Sequence, residues 1–309
     1  MSCRAILVDQ DYIWLGMDQG RFGYYDKKKD TLILKTIRLV ANSTEFRSIA
    51  MTKESVFILT VGNPAVLLKI DKKSKQETIV YKEEDEKVFY DSMQFANDLN
   101  GFAMGDPIGN CLSFIRTADG GNSWQKVSCD NLPKVEEGEG GFATSNTNLI
   151  VKGKSIFMVS GGKKSRVFVS NNFGKTWNVY NTPIIQGEEM TGIFTADFYD
   201  TKTGIIAGGN YVKQEQNFGN KAITTNGGKT WDLIAENEAF GYASCVQFVP
   251  NSNGRKLISV GGTGMFYSED FGKNWIKFSD DKAFFTFRFA SEKTFYATGK
   301  NKVVKFEIK

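Results

Sequence analysis

One eight-residue turn is repeated, with small variations, four times along the chain, and no other feature restricts the fold so far. It reads TADGGNSW at 117–124, SNNFGKTW at 170–177, TTNGGKTW at 224–231 and SEDFGKNW at 268–275. Its third residues, Asp119, Asn172, Asn226 and Asp270, are separated by 53, 54 and 44 positions. A repeat of that length holds four short strands, the size of one propeller blade. The order inside each unit is constant: an alternating or apolar strand, a glycine-ended strand, a strand leading into the turn and a strand leaving it. GIFTADFY, TGIIAGG, KAITT and TWDLIA form one such set. No segment sustains a 3.6-residue period, so helices are not expected.

Two earlier stretches keep the pattern without the tryptophan. They are AILV, YIWLG, FGYYD and TLILKTI, then RSIAM, VFILTVG, AVLLKID and ETIVY, with Asp26 and Asp71 where the motif acid belongs. The C-terminal FFTFRFA, TFYATG and VVKFEI supply three strands of a further unit. A chain of 309 residues would ordinarily suggest about two domains. The repeat instead predicts one all-β domain over 1–309, a seven-bladed propeller with blades starting near Arg4, Phe46, Tyr90, Gly141, Gly192, Tyr242 and Phe287. Its last blade is expected to have three strands, with the closing strand missing or just upstream of Met1, because an unpaired strand edge invites aggregation.

Each residue type in the turn has a local reason to be there. Asp or Asn accepts hydrogen bonds from backbone N–H groups two residues on, glycine takes positive φ, and the hydroxyls tie the loop to its flanks. Trp124, Trp177, Trp231 and Trp275 are four of the five tryptophans, all but Trp14, and each is expected to bury its rings between sheets. The pattern is similar to the Asp box of sialidases and other propellers, a structural hairpin between third and fourth strands that generally lies away from the ligand face. A calcium role is disfavoured because Gly and Lys stand where further oxygen ligands would be needed, and no metal is expected.

Composition narrows the chemistry. At 41% hydrophobic and 24% charged the chain has ample core, and no apolar run approaches the roughly 20 residues of a spanning helix. A net charge of +4, with both signs mixed along the chain, does not suggest nucleic acid. There is no histidine, which excludes Ser-His-Asp and Cys-His mechanisms and His-containing metal sites. Cys3, Cys111, Cys129 and Cys245 lack CxxC spacing. Cys111 and Cys129 could meet across one hairpin, but bridges between neighbouring strands are strained, so free thiols are expected. With no nucleotide cradle, haem ligand set or CxxC pair, no cofactor is expected. The start MSCRAILVDQDYIW carries no signal peptide, which fits either a cytosolic protein or a mature exported form.

Propeller sites form on the channel lined by first strands and on the loops at its mouth. Aligned by their strands, Arg4, Arg47, Asp91 and Arg288 fall in register, and arginine on a buried inner strand needs an anionic partner. One reading is an internal ion-pair network neutralised by Asp91. The other is a cationic funnel for a carboxylate or phosphate, with Lys163, Lys164 and Arg166 of GGKKSRVF nearby. An enzyme would instead use Asp91, Asp106 and Glu139 as paired carboxylates in glycoside hydrolysis, which needs no histidine. FRSI at 46–49 lacks the proline of the sialidase F/Y-R-I-P signature, and a sialidase arginine triad, Tyr–Glu pair and acid/base Asp cannot be placed. GGTG at 261–264 leads into a strand, not the helix a dinucleotide phosphate needs. The favoured function is non-catalytic binding of a protein segment or small anionic or carbohydrate ligand by a monomer.

As a whole the chain resembles the photosystem II assembly/stability factor-related propellers. The likeness rests on FRSIAM, VGNPAVLLKID, FYDSMQFANDLNGFAMGDPIGN, GEGGFATSNT, GGKKSRVFVSNNFGKTW, GIFTADFYDTKTGIIAGGNY, AITTNGGKTW and GYASCVQFVP. Bacterial members often carry the names oxidoreductase or glycosyl hydrolase without a demonstrated reaction. The resemblance implies a binding role through an arginine-bearing face, with Arg47 and Arg166 as the matching arginines, and an exported protein. Gly241, Tyr242, Ala243 and Ser244 depart from the relatives' GYRS, removing one cation from that face.

Overall fold

The repeated turn sets the architecture through two kinds of contact. Inside SNNFGKTW, Asn172 Oδ1 accepts the Lys175 and Thr176 amides (3.1 and 2.9 Å), and Ser170 Oγ accepts the Gly174 amide (2.9 Å). The other three copies repeat the hydroxyl bond at 3.0 Å, to Gly121, Gly228 and Gly272. The Asp or Asn thus reaches amides three and four residues on, one to two residues further than expected. Asp26 and Asp71, which stand at the motif position in the tighter turns without tryptophan, instead bond amides two and three residues on. Outward, the turn presses on the preceding blade. A Cβ on Gly121 (φ +76°) would lie 2.3 Å from the Phe57 ring, so only glycine lets the blades close.

The computed structural model describes residues 1–38 and 44–308. These form seven antiparallel sheets in chain order around an axis. Blade 1 consists of Cys3–Val8, Tyr12–Met17, Arg21–Asp26 and Thr31–Thr36. The innermost strands of blades 2, 3, 5 and 6 are Phe46–Met51, Tyr90–Phe95, Thr191–Phe198 and Ala243–Phe248. Blade 7 has three strands, Phe284–Phe289, Thr294–Gly299 and Val303–Glu307, as the sequence led us to expect. Blades meet through apolar clusters that join each sheet to the next. Phe157, Val167 and Val169 of blade 4, for example, pack with Phe198, Ile206 and Trp231 of blade 5.

Two features differ from the sequence reading. Blade 4 does not begin its inner strand at Gly141. That strand is Leu149–Lys152, and residues 141–148 instead cross the central channel. The crossing bonds every other blade. Arg4 of blade 1 donates to Thr144 O, Asn146 Nδ2 donates to Ile49 O of blade 2, and Met93 N of blade 3 donates to Asn146 Oδ1. Thr147 Oγ1 reaches Thr195 of blade 5, Ser145 Oγ reaches Ser244 O of blade 6, and Thr286 of blade 7 donates to Ser145 O. A short polar run with many small side chains can do this because inner strands turn unpaired polar groups toward the axis.

The second difference is a Cys111–Cys129 disulfide with Cα atoms 5.5 Å apart, where free thiols were expected. The two are not cross-strand neighbours. Cys129 opens a 3-10 turn, Cys129–Asn131, after blade 3's short outer strand Gln125–Lys126, and the loop folds back onto residue 111. That loop removes the strain anticipated for a bridge between adjacent strands. Cys3 and Cys245 are free and buried.

Candidate functional site

The crossing segment closes the channel and leaves a mouth at each end. Position along the inner strand decides which mouth a side chain faces. In six blades this strand carries a one-residue bulge, and the bulged residues are Arg4, Arg47, Asp91, Phe194, Ser244 and Phe285. A bulge turns its extra side chain out of the alternation, here toward one mouth. Arg288 therefore does not share the register of Arg4 and Arg47; Phe285 does. The alternating aromatics of FFTFRFA allow both alignments, and the FR pair suggested the wrong one. Arg288 lies on the other side of the crossing segment, in a cavity of about 230 Å³ with Gln94, Asp197 and Gln247. Its guanidinium donates to Ser145 O, Asn146 O, Phe287 O and Thr286 Oγ1 at 2.7–3.1 Å, so it braces the segment.

At the first mouth Arg4 and Arg47 border a cavity of about 350 Å³ together with Phe142, Phe194, Tyr211 and Asp106. Arg47 pairs with Glu45 (Nε to Oε2, 2.7 Å) and donates to Ala143 O. Arg4 makes no ion pair among the described residues. It lies 3.9 Å over the Phe285 ring and donates to Thr144 O (3.3 Å). Burial first, and then the charge of Arg47, lower its pKa, although guanidinium stays protonated. Tyr242, packed edge-on against Phe194 and Tyr211, buries a hydroxyl with no partner among the described residues. The result is a cationic corner walled by aromatic rings.

The carboxylates divide three ways. Asp91 is fully buried, and neither of its oxygens has a hydrogen-bond partner among the described residues. Burial, then Asp106, raises its pKa well above the usual range, against the pull of Arg47. Its ionised form is therefore disfavoured, and no hydrogen bond or ion pair ties it to the arginines as the network reading required. Asp106 accepts the Gly141 amide (2.7 Å), and burial lifts its pKa to about 6 against that bond. A Cβ on Gly141 would fall 2.1 Å from Asp91 Oδ2, so glycine is needed where the crossing segment passes these acids. Glu139 is held by Arg166: Nε donates to Oε1 (2.9 Å), Nη2 bonds Oε2, and Ser160 Oγ adds a third bond. The Glu139 side chain is 0% exposed and that of Arg166 12%.

Asp106 also borders a second cavity, of about 390 Å³, which continues outward past Gly141 between Lys87 and Glu189. The stem of Lys163 lies along its rim at Gly138, and Lys163 is exposed while Lys164 is half-buried. Of the residues singled out in the sequence, the structure brings together Arg4, Arg47 and Asp106. It pairs Arg166 with Glu139 and separates Arg288. The sequence reading missed the aromatic wall and the crossing segment; the run ATSNTN, turn-like in composition, was the available signal for the latter. Among the described residues, no group of three Cys, Asp or Glu is arranged to hold a metal, and no helix is long and apolar enough to cross a membrane.

No family model matches the chain, and no curated protein matches it. Solved structures do match in shape. The structure described as YCF48 bound to D1 peptide is 14% identical, with 100% of this chain and 93% of that chain covered at a TM-score of 0.70. YCF48 from Cyanidioschyzon merolae is 12% identical, covering 99% and 95% at 0.71. The RRP9 WD40 repeats are 10% identical, covering 100% and 95% at 0.71. At such identities the likeness establishes the fold, an all-β seven-bladed propeller shared over the whole chain.

Proposed function

We propose that this propeller is a non-catalytic binding module that holds a protein segment, through a carboxylate or similar anionic group, at the mouth lined by Arg4 and Arg47. The observation that carries the reading is Arg4, a half-buried guanidinium with no acidic partner among the described residues, fixed in place by a ring and a carbonyl. Buried charge of this kind gains most from an incoming anion, which guanidinium can grip through two parallel hydrogen bonds. The cavity that continues past Gly141 gives an extended segment room beyond its anionic group. The YCF48 structure with a bound D1 peptide supports a peptide as the class of ligand. The Cys111–Cys129 bridge supports an oxidising, exported setting.

A glycoside hydrolase would need two carboxyls bordering one open pocket. Of the three acids read from the sequence, Glu139 is occupied by Arg166 and Asp91 has no exposed surface, which leaves Asp106, with Glu189 also bordering the outer cavity. Binding is therefore favoured over hydrolysis. The test is affinity capture from the source cells with wild type and an Arg4→Ala/Arg47→Ala variant of matching circular dichroism. Captured partners are expected to be lost from the variant. A correctly folded variant that retains every partner would end this reading.

A further inference from the structure

The second mouth, on the far side of the crossing segment, is built by the same register as the first. Side chains one and three residues past each bulge share a face of the inner strand, because strand side chains alternate with a period of two. The nearer set, which includes Ser48, Ser92, Thr195 and Thr286, is small and lets the segment through, and Thr195 and Thr286 bond to it. The farther set is Leu7, Ala50, Gln94, Asp197, Gln247 and Arg288, one from each blade except the fourth. All of them border the cavity of about 230 Å³. Order around the axis sorts this ring into two sides. Asp197, Gln247 and Arg288 come from consecutive blades 5 to 7, whereas Leu7 and Ala50 come from blades 1 and 2 and are backed by Ile49 and Met51.

Part of the polar side's hydrogen-bonding capacity is unused. Gln94 Oε1 accepts the Val151 amide of blade 4 (2.7 Å), and Asp197 Oδ2 accepts the Phe248 amide of blade 6 (2.8 Å), so this position ties one blade to the next. Gln247 holds the same position in blade 6, yet its Oε1 is shielded from solvent and has no partner among the described residues. A buried acceptor of that kind calls for a donor. Arg288 commits Nη1 and Nη2 to the crossing segment and its own strand, and its Nε–H has no acceptor among the described residues. Asp197 and Arg288 flank Gln247, each anchored on backbone groups, and neither forms an ion pair among the described residues. Burial raises the Asp197 pKa against the pull of Lys152, of its two amide donors and of Arg288, and a cation beside it would offset that cost.

We propose that this mouth binds a small zwitterion, an α-amino acid with an apolar side chain. Its ammonium lies between Asp197 and Gln247 Oε1, its carboxylate accepts the Arg288 Nε–H, and its side chain covers Leu7, Ile49 and Met51. Opposite charges held apart by their backbone bonds do not neutralise one another directly, so each is stabilised by the complementary end of one ligand with no net charge. The cavity is smaller than the ~300–1,000 Å³ usual for drug-sized ligands, which suits a molecule of amino-acid size.

The probes are L-leucine, isocaproate, which lacks the ammonium, and isoamylamine, which lacks the carboxylate. Each is titrated into the full chain at neutral pH by calorimetry, with saturation-transfer NMR as a second readout. Leucine is expected to bind at one site per chain, and each analogue at least ~tenfold more weakly, the factor that loss of one charge-assisted hydrogen bond brings. Gln247→Leu removes an acceptor that the fold does not use, and should weaken leucine ~tenfold with unchanged circular dichroism. The Arg4→Ala/Arg47→Ala protein should bind leucine as wild type does, because the crossing segment lies between the two mouths. No binding of leucine at millimolar concentration, equal affinity of either analogue, an unaffected Gln247→Leu protein, or loss of leucine from the Arg4/Arg47 variant would each overturn the proposal.

Discussion

Replacing Asp106 by asparagine should make the protein more stable at neutral pH and leave it unchanged in acid. Burial lifts the Asp106 carboxyl from 3.8 to about 6, so the folded chain holds this proton more tightly than the unfolded chain does. Below about pH 3.8 both states are protonated and the group costs nothing. Between there and about pH 6 the unfolded state has released its proton while the folded state keeps it, so stability falls as pH rises, and above that range the loss is complete. Roughly 2 pH units at 1.36 kcal/mol each give a penalty of ~3 kcal/mol at neutral pH. Asparagine keeps the oxygen that accepts the Gly141 amide, and with it the anchor of the crossing segment, but cannot ionise. Urea unfolding of both proteins from about pH 3.5 to about pH 8 measures the difference. The two stability curves should coincide at the acid end and separate by up to ~3 kcal/mol at the neutral end. A separation independent of pH, or an asparagine variant less stable at neutral pH, would refute the assignment of Asp106 as the strained charge.

Other outcomes follow from the packing. Trp177→Ala, which empties the gap beside Phe114, should cost ~3 kcal/mol or more in denaturant unfolding. Arg166→Ala should cost ~3–5 kcal/mol because it strands the fully buried Glu139, and adding Glu139→Gln should recover part of that loss. Replacing Cys111 and Cys129 by serine opens a loop with a sequence separation of 18 and should lower stability by ~3 kcal/mol, while non-reducing mass spectrometry should find the bridge in wild type. Asp119→Asn should fall within ~0.5 kcal/mol of wild type at neutral pH, since Asn172 and Asn226 make the same turn bonds in other blades.

Much of the fold was legible because it is built from local rules repeated. A turn needs an acceptor, a positive-φ glycine and a bulky anchor within eight residues, and those requirements show in the sequence wherever the turn recurs. The site was less legible, because it depends on bulges and crossings. The strand pattern aligned Arg4 with Arg47, but only the one-residue bulge shows that Phe285, not Arg288, is their counterpart at the same mouth. Glu139 and Arg166 are 27 residues apart and gave no sign that each was the other's partner.

The sequence by itself determined the strand order, the number of blades, the three-stranded last blade and the absence of histidine chemistry, all properties of neighbouring residues or of counting. Tertiary structure alone decided that residues 141–148 would fill the channel instead of lining it, that Asp91 would lie buried without a hydrogen-bond partner, and that Arg4 would face the mouth without an ion-pair partner among the described residues. Those outcomes rest on which groups from seven separate blades converge on one axis, where burial sets the charge each group can carry. Distances of that kind span up to the whole chain, and no local pattern encodes them.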